Sequence, residues 1–116
     1  MHNFEKLLFW KKSISLAKHI YEVCQEMNND EKYGLISQIK RSVISIPSNI
    51  AEGSGRNSNK EFNHFLAIAL GSAFEVQTQL ILVKELDLLP EEKIEVLLNE
   101  VSEIQKMIYS FKNNLK

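Results

Sequence analysis

Between Leu35 and Arg56, apolar side chains recur at Leu35, Ile36, Ile39, Val43, Ile46 and Ile50, the three-and-four spacing of one α-helical face. Pro47 falls inside that pattern. A proline there removes one backbone hydrogen bond and presses its ring on the carbonyl of Val43, at about 3 kcal/mol. Either the helix ends near Ile46, or it bends and continues because something outside the helix compensates. The periodicity runs on through Ile50 to Ala51, which favours a kinked, continuous helix held by tertiary or quaternary packing.

Opposite the apolar stripe, Gln38, Arg41, Ser45, Ser48 or Asn49, and Glu52 keep the same rhythm. One reading is a solvated face. The other is a hydrogen-bond network or a close helix contact, because short serines and an asparagine stand where long Lys and Glu usually do.

The remaining pattern is helical throughout. A first helix is predicted over 4–27, capped by Asn3, with a stripe of Leu7, Trp10, Ile14, Ala17, Tyr21 and Cys24 supported by Ile20 and Met27. Asn28, Asn29 and Asp30 supply turn chemistry, and Asp30 is a candidate cap for the second helix, 32–53. Gly53 and Gly55 read as the end of that helix, not as a phosphate loop, since no strand precedes them. Ser58 to Glu61 matches a capping box opening the third helix, 58–86.

That third helix is apolar over about half its circumference, against the roughly 100° stripe of a surface helix. Phe62, Phe65, Leu66, Ala69, Leu70, Ala73, Phe74, Val76, Leu80, Ile81 and Val83 fill the arc, and Ile68, Gly71, Ser72, Glu75, Thr78, Gln79 and Leu82 the rest. Such a helix has more to bury than three neighbours can cover. Pro90, Glu91 and Glu92 open a fourth helix over 90–115. Four helices with short connections predict an all-α, antiparallel up-down-up-down bundle in one domain, 1–116.

The composition is that of an ordinary globular chain, 44% hydrophobic and 25% charged with a formal net charge of -1. No global field draws it to nucleic acid or anionic lipid. One cysteine, Cys24, excludes an intramolecular disulfide and reads as core. No secretory signal is visible near the start, and no apolar run reads as a membrane span. The expectation is a cytoplasmic protein with no membrane and no small-molecule substrate.

The run Leu35-Ile36-Ser37-Gln38-Ile39-Lys40-Arg41-Ser42, then Ser45 through Gly53, then Gly55-Arg56, resembles the signature of one family. So do Glu61-Phe62, Phe65-Leu66, Ala69, Gly71-Ser72, Glu75 and Gln79. The chain is similar to the four-helix-bundle proteins encoded in intervening sequences of bacterial 23S rRNA genes, relatives of the accessory variability proteins of diversity-generating retroelements. The resemblance spans essentially the whole chain. It implies a homo-oligomer, usually a ring-shaped pentamer, with no known enzymatic activity and no cofactor. The retroelement relatives are strongly basic and bind nucleic acid and a reverse transcriptase; this chain departs from them in charge.

Three functional readings follow. In the first, Arg41, Ser45, Asn49, Glu52, Ser72, Glu75 and Gln79 form a polar network at an interface between subunits, with Arg41 and Glu75 able to pair. In the second, Lys11, Lys12, Arg56 and Lys60 contact RNA or another nucleic acid, or the chain is instead a protein scaffold without direct nucleic-acid contact. The third is an enzyme, and it finds no support. Glu61 and His64 form a single Glu-x-x-His where di-iron bundles need two, so no catalytic or metal residue is assigned.

Overall fold

The structure, a computed structural model, describes residues 2–27 and 34–115; the expected Asn28 to Asp30 turn and the Asp30 cap lie outside the described residues. Helix α1 spans Leu8–Cys24. A separate 3-10 turn over Phe4–Lys6 precedes it, capped by the Asn3 side chain, which accepts from the Glu5 amide at 3.2 Å. Extended backbone at Leu7 splits what the sequence pattern predicts as one helix. The break lets the first residues cross the end of α2, where the His2 amide donates to the Ser54 carbonyl at 3.0 Å.

The buried face of α1 also differs from expectation. Phe9, Ser13, Leu16, Ile20, Cys24 and the following Met27 point into the core, whereas Ile14 and Tyr21 are exposed. The series through Ser13 has equally good helical spacing. Ser13 can be buried because its hydroxyl donates to the Trp10 carbonyl at 2.7 Å, within its own helix.

Helix α2, Leu35–Ser54, passes through Pro47 without interruption, and Pro47 is buried with Ile36, Ile39, Val43, Ile46 and Ile50. Gly53 lies inside this helix instead of just past its end. An added Cβ there would sit 2.5 Å from the Phe65 Cβ, so the missing side chain admits the start of α3. Helix α3, Asn59–Glu85, begins as expected, with the Ser58 hydroxyl accepting from the Glu61 amide at 3.1 Å. It ends in a turn where Leu88 donates to the Val83 carbonyl, Asp87 donates to that of Lys84, and Asp87 takes a φ of 54°. Asp is among the few residues that visit this left-handed conformation. Helix α4, Glu91–Asn114, follows, with Glu91 and Glu92 in its first turn.

Packed neighbours run antiparallel, as the order of cross-helix pairs shows: Ser45 with Ser72 and Ser42 with Gln79 between α2 and α3, Asn63 with Lys112 and Lys84 with Glu95 between α3 and α4, Lys12 with Glu103 and His19 with Glu100 between α1 and α4. The fold is all-α, with four helices and no strand among the described residues. Its inner faces meet in one continuous apolar cluster. Contrary to the sequence expectation, α3 is long and apolar enough, by length and composition alone, to cross a membrane. Here its inner face is core: Phe62, Leu66, Ala69, Ala73, Val76, Leu80 and Val83 are buried.

Candidate functional site

The seam between α2 and α3 is built from short polar side chains. The Ser45 and Ser72 hydroxyls share a hydrogen bond at 2.8 Å. Asn49 donates to the Ser45 hydroxyl at 2.9 Å and to the Ser45 carbonyl at 2.8 Å. Gln79 donates to the Ser42 hydroxyl at 3.1 Å, and Ser42 donates to the Gln38 carbonyl at 3.0 Å. Small residues let the two helices approach, and these bonds satisfy most of the polar groups so enclosed. The exception is Gln79 Oε1, which is buried without a partner among the described residues.

Three of the seven expected network residues, Ser45, Asn49 and Ser72, are therefore hydrogen-bonded together within one protomer, and a fourth, Gln79, reaches the same seam separately through Ser42. The charged three do not join them. Arg41 and Glu75 are exposed, with no ion pair between them in the protomer. Glu52 instead pairs with Arg56, one helical turn on, at 3.7 Å. Long side chains at these outer positions extend past the seam. Ser42 is the member that the sequence pattern does not assign; it sits one turn before Ser45 on the same edge, between the apolar stripe and the polar one.

Outside this seam, α3 presents an apolar face. Ile68 is 40% exposed, Phe74 51%, and Ile81 and Leu82 45% each. At 100° per residue these side chains and Ala67, Gly71, Glu75 and Thr78 occupy the same outward half of the helix. Glu75 is the lone charge between His64 and Ile81 on that half. A depression of about 350 Å³ lies there, lined by Gly71, Phe74, Glu75, Thr78 and Gln79. A second exposed apolar set, Ile14 and Tyr21 of α1 with Ile44 of α2, borders the α1–α2 groove. The Lys40 ammonium, 4.8 Å from the centre of the Tyr21 ring, marks that groove.

The expected nucleic-acid contacts gather at one end of the bundle. His2 reaches both Ser54 and Asn59, bringing the start of α1 beside the α2–α3 turn. Lys12 is neutralised by Glu103 at 2.8 Å. Arg56 pairs with Glu52 and stacks 4.7 Å from the Phe65 ring. Lys11 and Lys60 are exposed and have no ion pair among the described residues. Lys6 and Lys112 lie at this end as well and outnumber its acids Glu5, Glu52 and Glu61, while at the other end Glu22, Glu26, Glu85, Asp87, Glu91 and Glu92 outnumber Lys84 and Lys93. The near-zero net charge conceals this axial separation. Among the described residues no three His, Cys, Asp or Glu side chains converge to hold a metal. His64 is turned against Phe65, at 5.7 Å between ring centres.

Residues 5–110 match the family model described as 23S rRNA-intervening sequence protein. The chain belongs to this family. The match takes in α1, the Leu35 to Arg56 pattern, α3 and most of α4. Among solved structures, the chain is similar to a protein with unknown function from the S23 ribosomal protein family of Bacteroides thetaiotaomicron VPI-5482. The two share 30% identity and a TM-score of 0.86, over 92% of this chain and 96% of that one. Comparison with curated proteins gives no match.

Proposed function

We propose that this 23S rRNA-intervening sequence protein is a non-catalytic assembly module whose copies join through the outward face of α3, closing the ring of five that the family resemblance implies. The observation that carries this reading is the exposure of Ile68, Phe74, Ile81 and Leu82 on one helix. Covering them removes roughly 350 Å² of apolar surface from water, worth about 9 kcal/mol at 25 cal/mol per Å². Association itself costs about 4–15 kcal/mol, so the face needs an apolar counterpart.

The α1–α2 groove with Ile14, Tyr21 and Ile44 offers one. Two different surfaces mating head to tail make a heterologous contact, the kind that closes rings. Arg41, three residues from Ile44, would then meet Glu75 of the next copy, and a donor would come within reach of the orphaned Gln79 oxygen. Solution mass of Phe74→Glu, Arg41→Ala and Glu75→Ala tests this. Dissociation of the first, and weakening of the other two, is expected; unchanged assembly in all three overturns the reading.

A second reading is favoured by the axial charge separation. In a ring of parallel bundles every basic end lies on one side, so the weak contacts of Lys11, Lys60 and Lys6 add up toward a polyanion such as RNA. RNA retention across a salt series, with Lys11→Glu and Lys60→Glu, checks it: loss at low salt in the variants is expected, and absence of retention by the native protein discards it.

A further inference from the structure

The seam between α1 and α4 is shallowly recessed, with side-chain bridges across it at Lys12–Glu103, His19–Glu100 and Glu26–Lys93. Three depressions succeed one another on it. One of about 490 Å³ lies at His19, Val23, Val96 and Leu97. A smaller one, about 140 Å³, lies at Ser15, Glu103 and Ile104. The third, about 610 Å³, lies at Leu7, Leu8, Lys106 and Met107. The cause is visible in the middle of the seam, where the helices are bridged by polar side chains, His19 hydrogen-bonded to Glu100 and Lys12 paired with Glu103, both at 2.8 Å. Interdigitated apolar side chains, which would bring the helices closer, are absent from these positions. From Lys6 to Val23 the seam runs roughly 25 Å at 1.5 Å per residue, the length of a helix of about 17 residues.

Its chemistry specifies an occupant. Val96 at one end and Leu8 at the other are 59% and 55% exposed, so the walls are apolar. Glu100 lines both upper depressions; its Oε1 bonds His19, while its Oε2 is buried with no partner among the described residues. Among the described residues Glu22 and Glu92 stand beside it without an ion pair, the one lysine there, Lys93, being paired with Glu26, and Lys6 and Lys106 stand unpaired at the opposite end. The groove is thus acidic toward the end of α1 and basic toward its start.

We propose that the α1–α4 seam is a docking groove for one amphipathic helix of a partner protein, acidic at its start and basic toward its end, whose Lys or Arg donates to Glu100. An apolar ridge of that helix fills the depressions. The partner's charge order is the one that helix dipoles already favour, and it fixes the direction of docking. This surface lies apart from the α3 face and shares only α1 with the proposed ring contact, so the Phe74→Glu variant separates the two.

The probe is a fluorescein-labelled peptide of about 17 residues, leucine and alanine on one face, glutamate in the first turns and lysine in the last. A second peptide has the charge order reversed. Fluorescence anisotropy against the native protein is expected to show saturable binding of the first peptide only. Glu100→Gln should weaken it roughly tenfold or more, Val96→Asp should abolish it, and the milder Val96→Ala should weaken it severalfold with the helical circular dichroism intact. Phe74→Glu should leave it unchanged. Equal binding of both peptides, or native-like binding by the Glu100 and Val96 variants, overturns the proposal. So does a change in the mass of the assembly with Val96→Asp, which would give the groove to another copy of the chain.

Discussion

Substituting Gly53 by alanine tests the packing of α2 on α3 directly. Gly53 has a Cβ-sized space that is already filled: the added carbon would lie 2.5 Å from the Phe65 Cβ and 3.0 Å from the Phe62 Cδ1. Relaxed carbon contacts lie near 3.5–4.0 Å, so the helices must part locally by about 1 Å. The Phe65 Cβ is fixed to the α3 backbone, and Phe62 is buried in the core, so neither yields easily. Overpacking of this kind costs about 1–3 kcal/mol, and with neither neighbour free to yield the upper part of that range, about 2–3 kcal/mol, applies. Against that, alanine improves helix propensity by about 1 kcal/mol. The net expectation is a loss of about 1–2 kcal/mol, or a melting temperature lower by roughly 4–10 °C, measured by circular dichroism at fixed chain concentration. Gly71 supplies the contrast, since nothing lies within 4 Å of a Cβ built there. In a Phe74→Glu background, where the α3 face is free, Gly71→Ala should raise stability by up to about 1 kcal/mol. Equal or higher stability in Gly53→Ala would refute the close-approach argument.

Burial pushes the Cys24 thiol above its ordinary value, with the nearby Lys40 charge partly offsetting it. The unfolded chain therefore ionises first as pH rises past about 9, and the native state loses stability there, not below. At pH 8 the native thiol should resist iodoacetamide and react only on unfolding; prompt native modification contradicts its burial. Removing the shared hydroxyl bond by Ser72→Ala should cost about 1 kcal/mol, with a coupling to Ser45→Ala of roughly 0.5–1 kcal/mol in a double-mutant cycle. Zero coupling would mean the bond does not form. Pro47→Ala restores the backbone bond to Val43, relieving about 3 kcal/mol, and loses ring burial worth about 1–2 kcal/mol. Higher thermal stability is expected, and a lower melting temperature would show that the ring packs better than its burial suggests.

The helix periods of α2 and α4, the Ser58 cap and the break before Pro90 are all local in origin, and for that reason they are legible in the sequence; the faces of α3 are less so, since Phe74 and Ile81, expected in the apolar arc, are exposed and Ser72, expected opposite it, is buried. The face of α1 is not, because a satisfied serine can replace an apolar residue at no visible cost in the pattern. Ser45, Asn49, Ser72 and Gln79 announce themselves as small polar residues in helical register. What they bond to depends on the pairing of two distant segments. The same holds for Lys12, whose partner Glu103 lies at the far end of the chain, and for the α1–α4 groove, whose walls come from opposite ends of the sequence. Charge read in linear order also hides the axial separation, which exists only once the start of α1, the α2–α3 turn and the end of α4 share one end.

Mass of the native chain on serial dilution, by sedimentation velocity, addresses assembly most directly. A stable species of five 13.4 kDa chains, persisting while Phe74→Glu runs as a folded single chain, is the expected result. A native protein that stays folded and monodisperse as one chain at every concentration would mean that the α3 face is simply left in water.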